Sequence, residues 1–303
     1  MKLLPAYLGV VLIWSTTPLA VKLSTDSLDF SFAALARMSL STLICCALLL
    51  PLRVRLRFDR PALKAYASAS LGMFGSLSLT YAAVGYIPSG LVSVIFGLAP
   101  VVAGVLARFL LGERSLNPVR IGALMLALLG LGVVFSGTLR WEADSWPGLL
   151  LSLGSVLMFA LSNVLIKRHS GDLHPLQHTT GSLLFTLPLF VLSWSLLDGE
   201  LPQEISGTSL SAVLYLAIVG SVIGFLLYFR VLRYLTATQA ALIPLMTPPL
   251  AVLLGALFAG EAVHSGTLLG GGLILLALAG FQFDGRIQRL LQGRRAQAVH
   301  VPG

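Results

Sequence analysis

Apolar residues run through this chain in blocks close to the ~20 a helix needs to cross a ~30 Å hydrocarbon core, and polar residues gather in short joins between them. The blocks predict helices near 4–22, 31–52, 62–85, 88–111, 118–138, 147–167, 176–197, 208–234, 238–259 and 265–284. The joins carry turn and helix-start residues, among them Ile87-Pro88-Ser89, Asn117-Pro118, Trp146-Pro147, His174-Pro175, Ser206-Gly207-Thr208 and Thr236-Ala237-Thr238. A membrane β-barrel would read as ~10-residue alternating segments. The pattern is therefore that of an all-α integral membrane protein with ten transmembrane helices.

The punctuation of the first half returns in the second. Tyr86, Pro100, Gly112, Glu113, Gly122 and Gly132 recur as Tyr234, Pro248, Gly260, Glu261, Gly270 and Gly280, each 148 positions later. Five spans per unit is an odd number, so the second copy enters the bilayer upside down, as in secondary transporters built from inverted repeats. The expected organisation is a first five-helix repeat over 1–140, a second, inverted one over 141–284, and a basic tail over 285–303.

Composition sharpens this picture. The 303 residues are 56% hydrophobic and 11% charged, against about a quarter charged in soluble domains, and the mean hydropathy is +0.91. The net charge of +8 is distributed rather than clustered: with the N-terminus inside, all but Lys22, Arg37 and Arg140 of the 20 lysines and arginines fall on the cytoplasmic side. That asymmetry obeys the positive-inside rule and places both termini in the cytoplasm. It orients the chain and meets anionic lipid headgroups; nucleic acid, which needs one contiguous patch, is not an expected partner. The first apolar run has no small-x-small cleavage pattern around Leu19-Ala20-Val21-Lys22 and reads as a retained helix. Cys45 and Cys46 are adjacent, with no metal-site spacing to other ligands, and read as packing residues.

Ionisable groups inside a bilayer are costly, so those away from helix ends mark candidate function. No Asp or Glu lies in a span interior. Metal-dependent or carboxylate-based catalysis and buried-acid proton coupling therefore lack their groups, and no cofactor or metal is expected. Arg37 is the exception, about six residues into its span. It either holds an anionic group such as a substrate carboxylate, or snorkels outward or pairs with Asp26 or Asp29. Its repeat counterpart is Ser182. Glu113 and Glu261 suit amides opening the next helix, and Lys22 and Lys167 suit helix C-termini. Pro18, Pro100, Pro244, Pro248 and Pro249 free backbone carbonyls, which must then face protein or water, and are candidate kinks. Trp14, Ser15 and Thr17 in the first span match Phe159, Ser162 and Asn163 in the sixth and form candidate opposing walls of a central cavity. Tyr81 and Tyr228 are candidate amphipathic surfaces beside them, or else packing residues. His178 is either a pH-sensitive contact or an interface histidine. Small residues at spacing four (Ala99, Ala103, Ala107; Ala251, Gly255, Ala259), with the glycines of the fifth and tenth spans, predict a tight scaffold of helices four, five, nine and ten.

Several of these stretches resemble the EamA-type members of the drug/metabolite transporter superfamily: Trp14-Ser15 with Lys22, Phe32-Ala33-Ala34-Leu35-Ala36-Arg37, Ala99-Pro100 through Gly112-Glu113, and Thr247-Pro248 through Gly260-Glu261. Its general character is most similar to exporters of the YddG type. The resemblance spans about 4–284 and implies ten helices in two inverted repeats and export of amino acids, aromatic ones included, or other small metabolites from bacteria. Sugar-phosphate relatives need several cavity cations, whereas only Arg37 is available here. The expected protein is an alternating-access exporter of neutral or zwitterionic metabolites, a single copy in the bacterial inner membrane, with a small-molecule substrate, lipid contacts and no enzymatic activity. The alternatives are a membrane enzyme or flippase using Arg37 and His178 on a phosphate-bearing lipid, or a multidrug carrier.

Overall fold

The computed structural model describes residues 3–83, 86–87, 92, 95–113, 116–135, 145–197, 199–247, 250 and 265–282. Pro248, Pro249, Ala251, Gly255, Ala259, Glu261 and the basic tail lie outside the described residues. Helix α1 is Leu3–Ser24 and α2 is Phe30–Leu49. Helix α3 runs through Arg60–Ser70, a π-helical segment Leu71–Ser76 and Leu77–Ala83. Then come α4 (Ala99–Leu111), α5 (Pro118–Phe135), α6 (Trp146–His169) and α7 (Pro175–Leu197). Helix α8 joins Gly207–Tyr215, a π-helical segment Leu216–Ile223 and Gly224–Tyr234. The series ends with α9 (Ala237–Ala240) and α10 (Ser265–Gln282). Among these, α1, α2, α6, α7 and α8 are long and apolar enough to cross a membrane.

Local chemistry sets the ends. Asp29 accepts from the Ser31 amide and Ser206 from the Ser209 amide, each closing an open helix start, while Thr236 and Gln239 form a reciprocal capping box. Pro61, Pro100 and Pro147 occupy first-turn positions, where a missing N–H costs nothing. Helix α4 ends at Gly112, whose φ of +70° is a left-handed cap conformation that other residues adopt only with strain.

Contacts give each helix a direction. Helix α1 runs against α8: Gly9 meets Leu227 and Ser27 meets Ser209. The α7 ring His178, near its start, stacks on Phe229 near the end of α8, so these two also run oppositely. Helix α2 opposes α7 (Phe32 with Trp194), α3 opposes α2 (Tyr81 with Phe30), and α6 opposes α3 (Ser162 with Ser68, Gly154 with Leu79). Following the chain of pairs, α1 and α6, the first helices of the two units, point in opposite directions. The inversion that the odd span count predicts is present in the packing. The unit also repeats in detail: a Cβ on Gly72 would meet the Ser162 hydroxyl, and one on Gly220, 148 positions later, would lie 3.9 Å from the Thr17 hydroxyl.

Three expectations need correction. Pro100 does not kink a continuous helix; the chain turns at 97–98 and α4 restarts with Pro100 in its first turn. Pro244 likewise follows a turn at 241–242 and stands in the first turn of the helical stretch 243–247. Pro18 lies within α1, and Pro188, which the sequence reading passed over, lies inside α7. The small face of α4 packs on α6, outside the expected scaffold, as well as on the start of the expected ninth span: Ala99 and Ala103 join Val156, Ala160 and Ala241, and Ala107 joins Val164 and Ala237. Helices α5 and α10 do cross closely, because a Cβ on Gly130 would stand 2.7 Å from the Gly270 carbonyl and one on Gly270 would press on that of Gly130. Among the described residues, nothing lies within 4 Å of a Cβ placed on Gly122, Gly132, Gly271 or Gly272.

Candidate solute site

The π-helical segment of α8 brings Gly220 and Ser221 to Arg37. A π turn widens the helix and leaves backbone groups out of regular register, and this one lets a guanidinium approach closely. The Arg37 Nε donates to the Ser221 hydroxyl at 2.8 Å, and an added Cβ on Gly220 would lie 3.4 Å from Nη2. Ser41 ties the neighbouring backbone, donating to the carbonyls of Arg37 and Ala217. The Tyr81 side chain lies beside the guanidinium, and Nη1 is buried with no hydrogen-bond partner. Arg37 is only 3% exposed, so it does not snorkel. Nor does it pair with the nearby acids. Asp29 is engaged with Ser31, and Asp26 accepts from Ser206.

One helical turn along α8, Gly224 admits the Trp14 indole: its Cβ would be 3.1 Å from Nε1. Trp14 packs on Tyr228 at 4.9 Å between ring centroids, Tyr228 on Phe159 at 6.4 Å, and Phe159 on Phe96 at 6.0 Å. The Tyr228 hydroxyl donates to Asn163 Oδ1, while Asn163 Nδ2 is buried and unpartnered. Trp14 and Thr17 share a face of α1, and Gly220 and Gly224 share a face of α8, so the cationic and aromatic clusters are stacked about 6 Å apart along α8, at 1.5 Å per residue.

The structure thus brings Trp14, Phe159, Asn163 and Tyr228 into one cluster and Arg37 and Tyr81 into its neighbour, beside Thr17, whose hydroxyl donates to the Ile13 carbonyl of its own helix. It does not bring in the others. Ser15 bonds the Leu12 carbonyl of its own helix, and Ser162 donates to the Ser68 carbonyl at the α3–α6 contact. Tyr81 stands with Arg37 and Phe30 rather than beside Trp14. His178 is no interface histidine: it is 3% exposed and stacks on Phe229 at 3.9 Å. Lys167 donates to the carbonyls of Leu232 and Arg233, capping α8 rather than its own helix, with Glu113 as its nearby charge. Cys45 is buried and both cysteines are free thiols. Gly220, Ser221 and Phe96 escaped the sequence reading. Gly220 is the 148-residue mate of Gly72, and that was the available signal. The described residues hold no cluster of ligands fit for a metal ion.

Comparison with known proteins bears on what such an arrangement serves. The model of the EamA-like transporter family matches this chain twice, over residues 2–136 and 146–282. The chain belongs to that family. It is therefore a multi-pass membrane transporter with the drug/metabolite transporter fold of two inverted five-helix repeats. It is similar to a "Probable amino-acid metabolite efflux pump" of Salmonella typhimurium, 25% identical over 71% of this chain and 75% of the other. It is also similar to a "Probable terminal-alkyne amino-acid exporter" of Streptantibioticus cattleyicolor, 26% identical over 100% of this chain and 99% of that one. A solved crystal structure shares the fold with a TM-score of 0.79 and 20% identity, covering 93% of this chain and 97% of its own.

Proposed function

We propose that this EamA-family transporter is an alternating-access exporter of small zwitterionic or neutral metabolites, amino acids and aromatic amino acids among them, across a bacterial cytoplasmic membrane. The two units, 1–140 and 141–284, rock about the path between them with both termini in the cytoplasm. The observation that carries the reading is the buried Arg37, held by Ser221 on one edge with Nη1 unpartnered, one helical turn from the Trp14–Tyr228–Phe159 rings. Guanidinium binds carboxylate in a bidentate fork, and the rings take an apolar or aromatic side chain. The relatives named as amino-acid exporters support the same solute class. With no acid in any span interior to carry a proton, solute moves down its gradient and nothing is chemically converted. The lipid-enzyme alternative is disfavoured, because His178 meets Phe229 while Arg37 meets Ser221, eight residues or about 12 Å apart along α8.

Counterflow in proteoliposomes tests the reading. Phenylalanine should exchange and phenethylamine, lacking the carboxylate, should not. Arg37→Gln should raise the half-saturation for phenylalanine roughly 10- to 100-fold, the size of a charge-assisted hydrogen bond, and Arg37→Lys should recover part of it. Equal exchange of acid and amine, unaffected by Arg37→Gln, would remove the carboxylate role.

A further inference from the structure

We infer that the start of α3 and the end of α6 form a binding site for an anionic phospholipid of the phosphatidylglycerol class, its phosphate held between Lys64 of the first unit and Arg168 of the second, with the loop over 50–59 lying in the headgroup layer beside it. The charge asymmetry of the sequence says only that cations gather on one side of the membrane, whereas the structure gives them a place. The inference does not rest on the identity of the solute.

Helix packing brings the two cations together. The His169 ring, in the last turn of α6, meets the Ser68 hydroxyl through Nδ1 at 3.0 Å. Ser68 in turn donates to the Lys64 carbonyl at 2.6 Å, so Lys64 stands one turn away on the same face of α3, with Arg60 one turn beyond it. Arg168 adjoins His169, and Lys64 and Arg168 both act on its ring. Both cations are exposed. Like charges gathered across two helices repel, and an anion between them turns that repulsion into attraction. The acids of this surface do not supply it, because Asp59 and Asp172 both bond Arg57. Among the described residues, Arg53, Arg55, Arg60, Lys64 and Arg168 form no ion pair.

Apolar side chains interleaved with these cations decide which anion fits. Leu50, Leu52 and Phe58 are each more than half exposed, in a segment that also carries exposed Arg53 and Arg55. Such a mixture suits the boundary where hydrocarbon meets headgroups, the apolar parts dipping inward and the guanidiniums reaching phosphates. Leu43 and Leu50, two turns apart on one exposed face at the end of α2, continue the apolar surface away from the loop, as an acyl chain requires and a soluble phosphate does not. The loop is held in shape: Gln177 Nε2 donates to the Arg55 carbonyl at 2.6 Å, and Arg57 reaches Asp172 at 3.0 Å. Arg53 turns the chain at φ +53°, a left-handed conformation in which glycine is unstrained, so a guanidinium is kept where the backbone favours no side chain.

The full chain in an uncharged detergent tests this, with phosphatidylglycerol or phosphatidylcholine added, bound lipid counted by native mass spectrometry and the melting temperature followed beside it. Phosphatidylglycerol should be retained and should raise the melting temperature; phosphatidylcholine should do neither. A cation at a lipid surface is worth about fivefold in affinity. Lys64→Gln and Arg168→Gln should therefore each weaken phosphatidylglycerol binding about fivefold, and together roughly 25-fold, while Lys64→Arg and Arg168→Lys should keep it. Both side chains are exposed, so the lipid-free variants should melt with the parent, and a lost response then reads binding rather than folding. Arg108→Gln controls for charge alone. Arg108 is an exposed cation on the same side, because α4 runs parallel to α6 and packs on a different face of it from α3. Its loss should leave binding unchanged. A loss in Arg108→Gln as large as in Lys64→Gln would mean a diffuse basic surface and overturn the site. Binding indifferent to Lys64 and Arg168, or equal retention of phosphatidylcholine, would overturn it as well. So would equal stabilisation by soluble sn-glycerol 1-phosphate, which would mark a site for free phosphate.

Discussion

Asn163 shows how much a single side chain decides in this core. It is buried, its Oδ1 accepts from Tyr228, and its Nδ2 has no partner. Tyr228→Phe would strip the remaining bond and leave a whole amide unsatisfied, which costs about 1–3 kcal/mol. Removing both polar partners is far less damaging, because no orphan remains. Thermal unfolding in detergent should therefore show Tyr228→Phe clearly destabilised and Tyr228→Phe/Asn163→Leu largely recovered; a double variant worse than the single would contradict this account. Arg37 was legible in the sequence because a lone cation in an apolar run can persist only for a reason. Ser15 and Ser162 were not. A serine in a helix meets its needs on any nearby carbonyl, and nothing in the letters tells a solute-facing hydroxyl from one spent on Leu12 or Ser68.

At the scale of elements, helix existence was written in the apolar blocks, and helix irregularity was not. Leu71–Ser76 and Leu216–Ile223 read as ordinary apolar helix, and only their packing shows a π register. Small residues mislead in the same way: spacing four announces a face but not its partner. The glycines of α5 and α10 separate the cases. Gly130→Ala or Gly270→Ala would press a methyl into a backbone carbonyl, which cannot yield as a side-chain end can, and the helices must part. Both should lower the melting temperature by several degrees, while Gly122→Ala and Gly272→Ala, whose methyls meet nothing within 4 Å among the described residues, should not lower it.

The loop after α2 allows a pH test. Arg57 bonds Asp59 at 2.9 Å and Asp172 at 3.0 Å, linking the first unit to the second. Hydrogen bonding from Arg57 holds the Asp59 carboxyl below its ordinary value. A depressed folded-state value means that the contribution is complete at neutral pH and is lost only as pH falls through and below the usual carboxylate range. Melting temperature should therefore drop less steeply on acidification in Asp59→Asn than in the parent. The difference should be small and should shrink with salt, since the pair is exposed.

The whole molecule rests on two copies of one plan placed head to tail across a membrane. Five spans with short joins force the flip, which could be read without coordinates, and the charge asymmetry predicts which side each end faces. How the copies differ could be read only in part: that Arg37 stands where the second copy has Ser182 was legible, whereas its partner Ser221, which stands where the first copy has Met73, was not. A strictly symmetric carrier would hold two equal sites. Here the buried cation comes from one copy alone and its hydroxyl partner from the other. Phe58 and Gln203, 145 positions apart, occupy matching exposed loops of the two units. In a Cys45→Ala/Cys46→Ala background, Gln203→Cys should react with an impermeant maleimide added to intact cells, and Phe58→Cys only once the membrane is opened. Reaction of both from the same side would mean that the two units lie the same way up, and Arg37 and Ser182 would then no longer be related positions.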